Sequence, residues 1–442
     1  MTEYIEKLVI EKPVFGGYGL GFHEGHAVFV PNALIGDIVR VKIKYSKKGS
    51  LFGDIEDYIE HSPDYTKPIC EVFGRCGGCN WLNLPYLKQL EYKTTIVKEI
   101  LHELDFPIKA VQGSPVSNFY RNKSFLPISG SSKEPKIGMF AGQTHDVIEH
   151  ETCMLHPKVF DDIADLIKAY IIKANVSIYD EVSGKGTLRH LGIRYSERTG
   201  QIIVILVTKT KKLPFTKQLV HLLQENVKNL VGVVQNINND PGNRIMGSED
   251  IVLYGVPYIE EELMGKSFRL HYQSFFQVNT SQAEAMLKFA AKFLQSESIL
   301  VDAFCGTGSI GIALSEYCRK VIGIETVTQA VDDARENAKR NKIPNCKYYC
   351  GTVEHLLPQI IKSSSPDIII FDPPRKGLDA QTVQLIVDST IPRIIYISCN
   401  PSTQVRDLKL MVKAGYRLVE MQAFDMFPHT WHIENVAYLE RL

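Results

Sequence analysis

Glycine-punctuated apolar runs open the chain. Gly16, Gly17, Gly19, Gly21 and Gly25 divide residues 1–60 into short strands, the pattern of a small β-barrel. Val39, Val41, Ile43 and Tyr45 alternate there with Arg40, Lys42 and Lys44. That period of two predicts a strand with the first set in a core and the bases in solvent. Residues 61–87 show little periodicity. The apolar positions Leu87, Leu90, Ile96, Ile100 and Leu104 then predict one amphipathic helix over Leu87–Leu104. From about 120 to 265 the period is mixed. Helices are expected over Phe160–Lys173 and Thr216–Val227, and a hairpin joins Gly192–Tyr195 to Gln201–Val207 by a turn at Arg198-Thr199-Gly200.

From about 270 onward short apolar strands alternate with helices. Ile299–Ala303 precedes a helix over Ser309–Tyr317, and Lys320–Ile324 precedes one over Val327–Asn341. Asp367–Phe371 and Arg393–Ser398 are further buried strands, each followed by a helix. The alternation predicts a doubly wound parallel sheet. Tyr416–Phe424 and Ile433–Leu439 have no helix between them. They predict a terminal antiparallel pair, which is the habit of class I methyltransferases rather than of plain dinucleotide-binding sheets. Three units are expected: a barrel over 1–60, a central α+β region over 61–265 and an α/β domain over 266–442, with the helix near 87–104 a candidate to pack on the last.

Composition narrows the field. The 442 residues are 44% hydrophobic and 23% charged, which excludes wholesale disorder. No apolar run reaches the ~18 residues of a membrane span, and the N-terminal MTEYIEKLVIEKP lacks the form of a signal peptide. A soluble, cytoplasmic protein without a membrane partner is expected. Lys plus Arg and Asp plus Glu both number 50, so affinity for nucleic acid must come from local patches. The run from Arg40 to Lys48, with five bases and no acid, is one candidate for an RNA-backbone contact, or else a solvated strand face. Nine cysteines in a chain read as cytosolic point to metal binding or catalysis rather than to disulfides.

The first α/β strand runs into Val301-Asp302-Ala303-Phe304-Cys305-Gly306-Thr307-Gly308-Ser309. Its glycines permit a tight turn close to a ligand. Glu325 closes the second strand, where an acid accepts hydrogen bonds from ribose hydroxyls. S-adenosylmethionine and NAD both satisfy that pattern. The fourth strand ends in Asp372-Pro373-Pro374-Arg375. Arg375 stands where amino-group methyltransferases place an aromatic that stacks on the base, which argues against methylation of an exocyclic amine. The fifth ends in Ser398-Cys399-Asn400-Pro401, which sets a thiol at the mouth of the crevice. A helix beginning near Ser402 would favour its thiolate through the helix dipole.

A thiol there answers a chemical need. Carbon 5 of a pyrimidine is a poor nucleophile until a thiolate adds to carbon 6, and the product then requires a base to remove the proton left on carbon 5. Glu434, entering the last strand, is the candidate base, with His429 and His432 as alternatives.

On these motifs the sequence resembles the RNA uracil-5 methyltransferase family, and in particular its bacterial 23S rRNA branch, over the whole chain. The resemblance implies Cys399 as nucleophile and Glu434 as base. It implies cofactor contacts at Gln277, Phe304, Gly306, Glu325 and Asp372. Phe275 is implied to stack on a flipped uracil, and Arg121 and Lys123 to face RNA, with Lys136-Ile137-Gly138 a less specific match. The barrel resembles a TRAM module, an OB-like RNA-binding fold. Cys70, Cys76 and Cys79, spaced C-x5-C-x2-C, with Cys153 as the implied fourth ligand, resemble the family's iron–sulfur site. Four thiolates suit a [4Fe–4S] cluster, and spacing by itself leaves zinc open. The expected activity is S-adenosylmethionine-dependent formation of 5-methyluridine in 23S rRNA, at one or more uridines, with no obligate protein partner. Competing readings are the same chemistry on the tRNA T-loop, a non-catalytic RNA-binding factor, and an NAD oxidoreductase.

Overall fold

A computed structural model describes residues 4–442. The N-terminal unit is a curled six-stranded sheet. Its strand order is Tyr4–Val9, Ile38–Lys47, Ser50–Glu60, His26–Pro31, Tyr18–His23 and Lys12–Val14. Its core is Ile5, Leu8, Ile10, Val28, Val30, Val39 and Val41. The alternation predicted along Val39–Tyr45 holds for Val39, Val41 and the half-buried Ile43, which packs against this core, and fails at Tyr45. The register with the neighbouring strand shifts between Ile43 and Tyr45. A bulge of this kind turns the following side chain to the other face, and Tyr45 is 46% exposed rather than in the core.

The central unit is a second six-stranded sheet, ordered Glu249–Gly255, Leu230–Ile237, Ile202–Thr208, Leu188–Tyr195, Lys123–Gly130 and Pro135–Ile137. Helices Val159–Ala174 and Thr216–Asn226 lie on one face. All seven residues of Ile202–Thr208 are buried. Ile202, Val204 and Leu206 pack into the central core, while Ile203, Ile205 and Val207 pack into the core of the C-terminal domain. Burial on both faces explains why this strand reads as a continuous apolar run instead of an alternating one.

The C-terminal sheet has seven strands. Their order is Cys346–Cys350, Lys320–Glu325, Ile299–Ala303, Ile368–Phe371, Arg393–Ser398, Glu434–Arg441 and Tyr416–Phe424. The first five are parallel, and the last two form the expected antiparallel pair, with Glu434–Arg441 inserted beside Arg393–Ser398. The helix expected over Ser309–Tyr317 is broken into Ser309–Ala313 and a 3-10 turn at Ser315–Tyr317.

Helix Tyr86–Leu101 belongs by packing to this C-terminal domain. Tyr92, Ile96, Val97 and Leu101 share a core with Val301, Ile324, Phe371 and Tyr396. Its buried stripe is offset from the one read in the sequence. Leu87 is exposed, and Gln89 and Lys93 are buried. No helix among the described residues is long and apolar enough to cross a membrane.

Candidate functional site

The carboxyl ends of the parallel strands converge on one crevice, as doubly wound sheets dictate. After Ile299–Ala303 the backbone turns through left-handed conformations at Phe304 (φ 66°), Gly306 (φ 53°) and Gly308 (φ 76°). Asp302 closes the loop by accepting the amide of Gly311 at 2.8 Å, and burial pushes its carboxyl up to about 7. Phe275, Gln277, Phe304, Gly306, Thr307 and Asp372 line one pocket over this loop. Gln277 Nε2 donates to Asp372 Oδ2 at 3.3 Å. The hydroxyl of Thr307 is buried without a partner. Glu325 accepts the Gly306 amide at 3.1 Å and the Thr326 and Val327 amides at 2.6 and 2.9 Å. A ribose diol would compete for that carboxylate. Phe275, 71% exposed, stands at the pocket's rim.

Cys399 and Glu434 emerge together from the sheet. Ser398 pairs with Asn435 across antiparallel strands, so the next residues of the two strands leave the ladder side by side. Helix Pro401–Lys413 begins directly after Cys399-Asn400, and Asn400 caps it by accepting from the Ser402 amide at 3.2 Å. Asn400 Nδ2 and Thr403 Oγ1 both donate to the Arg375 carbonyl, at 3.1 and 3.3 Å. These bonds tie the loop carrying Asp372 and Arg375 to the loop carrying Cys399.

The electrostatics correct one expectation. Burial, and then the charges of Glu434 and Asp372, push the Cys399 thiol up to about 11, against the pull of Arg375. Desolvation and two neighbouring carboxylates outweigh a helix N-terminus, which contributes only ~0.3–1 kcal/mol at an ordinary site. Cys399 therefore rests as a thiol. Glu434 is 3% exposed, with Oε2 unpartnered. Burial, followed by the charge of Asp372, drives its carboxyl well up, and Arg375 opposes. Burial raises Asp372 itself to about 7, the Gln277 hydrogen bond acting against it.

The two histidines have other work. His429 Nε2 lies 2.7 Å from Asn118 Oδ1, and Nδ1 lies 3.1 Å from the side-chain amide of Gln89. Burial lowers it to about 4. His432 Nε2 sits 3.4 Å from an Arg375 nitrogen. Burial, and then Arg375, lower it to about 3. Lys123 turns inward instead of presenting its charge to solvent. Its ammonium approaches the Gln273 and Ser274 carbonyls at 3.5 and 3.4 Å, beneath the loop that carries Phe275. Burial, and then the neighbouring Arg194, bring Lys123 down to about 7. Arg121 Nε donates to the Lys123 carbonyl at 3.2 Å.

Cys70, Cys76, Cys79 and Cys153 line a single, almost wholly apolar pocket with Val72, Met139 and Leu155. Four cysteines lining one apolar pocket could supply the donor set of a thiolate-ligated centre. Sequence reasoning missed His150 and His156, whose ring nitrogens lie within 4.8 Å of the Cys153 sulfur and of each other. Asp161 accepts from His156 at 2.8 Å and so anchors that ring beside Cys153. The only available cue was their spacing around Cys153, which is not distinctive.

The outward turn of Tyr45 builds a second surface. Tyr45 stacks on Phe52 (centroids 4.9 Å, planes 11° apart), and Phe52 stacks on Phe29 (4.9 Å, 13°). This ladder walls a groove of about 520 Å³ whose far side carries Arg75 from the cysteine loop. The basic stripe is partly neutralised, since Arg40 pairs with Glu6 and Lys44 with Asp54, each at 3.0 Å.

Comparison with known proteins places this geometry. The family described as tRNA (Uracil-5-)-methyltransferase matches residues 85–442, and the TRAM domain family matches residues 7–55. An uncharacterized RNA methyltransferase of Clostridium acetobutylicum is 38% identical over 96% of this chain and 95% of its own length. Another, from Bacillus cereus, is 34% identical over 100% and 99%. Among solved structures, the Pyrococcus abyssi tRNA (uracil-54, C5)-methyltransferase in complex with S-adenosyl-L-homocysteine superposes with a TM-score of 0.80 at 26% identity. The match covers 98% of this chain and 100% of that one.

Proposed function

Because the chain belongs to the tRNA (uracil-5-)-methyltransferase family and is an S-adenosylmethionine-dependent RNA uracil-5 methyltransferase, we propose that it methylates carbon 5 of uridine in 23S rRNA through a transient bond between Cys399 and the base. The observation that carries this reading is the emergence of Cys399 and Glu434 from adjacent strands beside the Gln277–Asp372 wall of the cofactor pocket.

Gln277, Phe304, Gly306, Glu325 and Asp372 would hold S-adenosylmethionine, which would supply an electrophilic sulfonium methyl group and leave as S-adenosylhomocysteine. The orphaned Thr307 hydroxyl and the multiply bonded Glu325 carboxylate fit a polar nucleoside in that pocket. The target uridine leaves its stack at a cost of a few kcal/mol. Stacking on Phe275 returns ~1–3 kcal/mol. Cys399 loses its proton to solvent and its sulfur adds to carbon 6. The electron pair displaced onto carbon 5 takes the methyl group. Glu434 then removes the carbon 5 proton, and the electrons of that bond expel the sulfur as thiolate. The order eases the ionisation of Glu434. A sulfur bonded to carbon is neutral, so the repulsion between Glu434 and a thiolate is gone when the base is needed.

A thiol raised to about 11 sets the sign of the pH dependence. Below that value the thiolate fraction grows with pH, so kcat/KM is expected to climb by up to about tenfold per pH unit above neutrality. Arg375→Met removes the one cation that lowers the thiol, and the profile should move to higher pH. A flat profile from pH 7 to 9, or an Arg375→Met profile that does not move, contradicts this account of the nucleophile.

The cysteine pocket is proposed to hold a [4Fe–4S] cluster on Cys70, Cys76, Cys79 and Cys153, with a structural role beside the RNA. The protein purified without oxygen should contain iron and acid-labile sulfide, and Cys79→Ser should lose both. Stoichiometric zinc would reassign the site. The aromatic groove supports an RNA contact on the barrel, because stacking tolerates any base.

A second reading, the T-loop uridine of tRNA, is favoured by the Pyrococcus abyssi enzyme, whose match covers 98% of this chain. A tRNA enzyme with this overall architecture exists. Mass-spectrometric mapping of 5-methyluridine in 23S rRNA and tRNA, with and without the protein, separates the two substrates.

A further inference from the structure

The buried polar groups of helix Tyr86–Leu101 take no part in the chemistry just described, yet they converge on the segment that delivers Glu434. Residues 425–433 form no strand or helix. Lys93, fully buried, donates to Asp425 Oδ1 at 2.5 Å, to the Phe427 carbonyl at 3.1 Å and to the His432 carbonyl at 3.0 Å. All three ammonium protons are thereby used along one loop. One turn earlier, Gln89 accepts the His429 amide at 2.9 Å. Its side-chain nitrogen meets His429 Nδ1 at 3.1 Å and the Trp81 and Leu84 carbonyls at 2.9 Å.

The cysteine loop adds a third hold. The amides of Asn80 and Trp81, directly after Cys79, both donate to the His429 carbonyl, at 2.8 and 3.1 Å. His429 is the residue under constraint. It is not glycine and adopts φ 67°, a left-handed conformation that persists only where its surroundings over-determine it. Five residues later comes Glu434, whose Oε2 has no protein partner to fix it. Its position is therefore inherited from its backbone.

We infer that Gln89 and Lys93 are positioning residues for proton abstraction, holding residues 425–433 in the one conformation that aims Glu434 at carbon 5, and that the loop of Cys79 is wired to the same segment through the His429 carbonyl. The inference rests on Glu434 being the base. It assigns these groups to the late half of the reaction. Substrate binding, formation of the Cys399 bond and methyl transfer depend on loops elsewhere, whereas release of product depends on this one. Misplacing a reacting group by about 1 Å can cost about 10²-fold in rate.

The test uses the full-length protein and an RNA transcript that it methylates. Gln89→Met keeps the length of the side chain and removes its polar contacts. The control is Val97→Ala, which thins the core on the same helix (Val97 is fully buried) without removing any of the hydrogen bonds to residues 425–433. Glu434→Gln is run in parallel. Gln89→Met should retain KM for RNA within about threefold, lower kcat by about 10²-fold, and show a protein–RNA adduct that forms normally and decays slowly. Val97→Ala should lower Tm while its adduct decays at the normal rate. Lys93→Met is expected to repeat the Gln89→Met pattern if it folds. The inference is overturned if Gln89→Met decays normally, if its loss lies in KM, or if Val97→Ala slows decay as much. Should Glu434→Gln form no adduct, the reading of Glu434 itself fails, and the two failures are told apart.

Discussion

Cys399→Ala is expected to abolish methyl transfer to RNA and to form no covalent complex with it, while binding of S-adenosylmethionine and the fold persist. The sulfur is half-buried at the strand end and belongs to no hydrophobic core cluster. Its loss should therefore cost stability about 1 kcal/mol or less. The chemical loss is of another order. Without addition at carbon 6 the ring offers no electron pair at carbon 5, and losing the nucleophile of a catalytic unit typically costs about 10⁴-fold or more. Transfer of labelled methyl groups and gel detection of a protein–RNA complex measure both effects. Substantial methylation by Cys399→Ala would overturn the covalent route.

Glu434→Gln should do the opposite to the covalent complex. The substitution preserves shape and removes the base, so sulfur addition and methylation proceed and elimination stalls. Turnover is expected to fall by ~10²–10⁴-fold, the usual share of a general base, with the adduct accumulating to a stoichiometry near one per enzyme. Stability should not suffer. The Glu434 carboxyl is buried and incompletely hydrogen-bonded, and a neutral amide is cheaper to bury than a carboxylate. A stable Glu434→Gln enzyme that turns over normally would transfer the role of base to another group.

The parts of this molecule that were legible in its sequence share a physical cause. Ile299–Ala303, Arg393–Ser398 and Tyr416–Phe424 have the bounds expected of them; the first two are interior strands whose buried runs end where the polarity changes, and the third is an edge strand that mixes buried and exposed positions. The glycine loop after Ala303 and the SCNP turn were legible because their chemistry is local. Tyr45 was misplaced because a bulge leaves no trace in a simple alternation. The stripe of helix Tyr86–Leu101 was drawn through Leu87, which is exposed, since hydropathy offers no reason to bury Gln89 or Lys93. Their partners lie 340 and 332 residues away, and no window along the chain contains both ends. Likewise Cys153 shares a pocket with three cysteines more than seventy positions earlier, and only the resemblance to a family suggested it.

The long span between Lys93 and Asp425 also orders events during synthesis. Helix Tyr86–Leu101 is made first and has nowhere to bury Ile96, Val97 and Leu101 until the strands beyond residue 299 exist. A chain under translation must carry this apolar face unpaired while about two hundred further residues are added before the first of those strands, a span in which exposed surface invites aggregation and rewards a chaperone. The same arrangement forbids an easy division of labour. A fragment beginning at residue 266 would lack helix Tyr86–Leu101 and its hold on residues 425–433, so protease nicking in the middle of the chain should release a destabilised C-terminal piece instead of a working minimal enzyme.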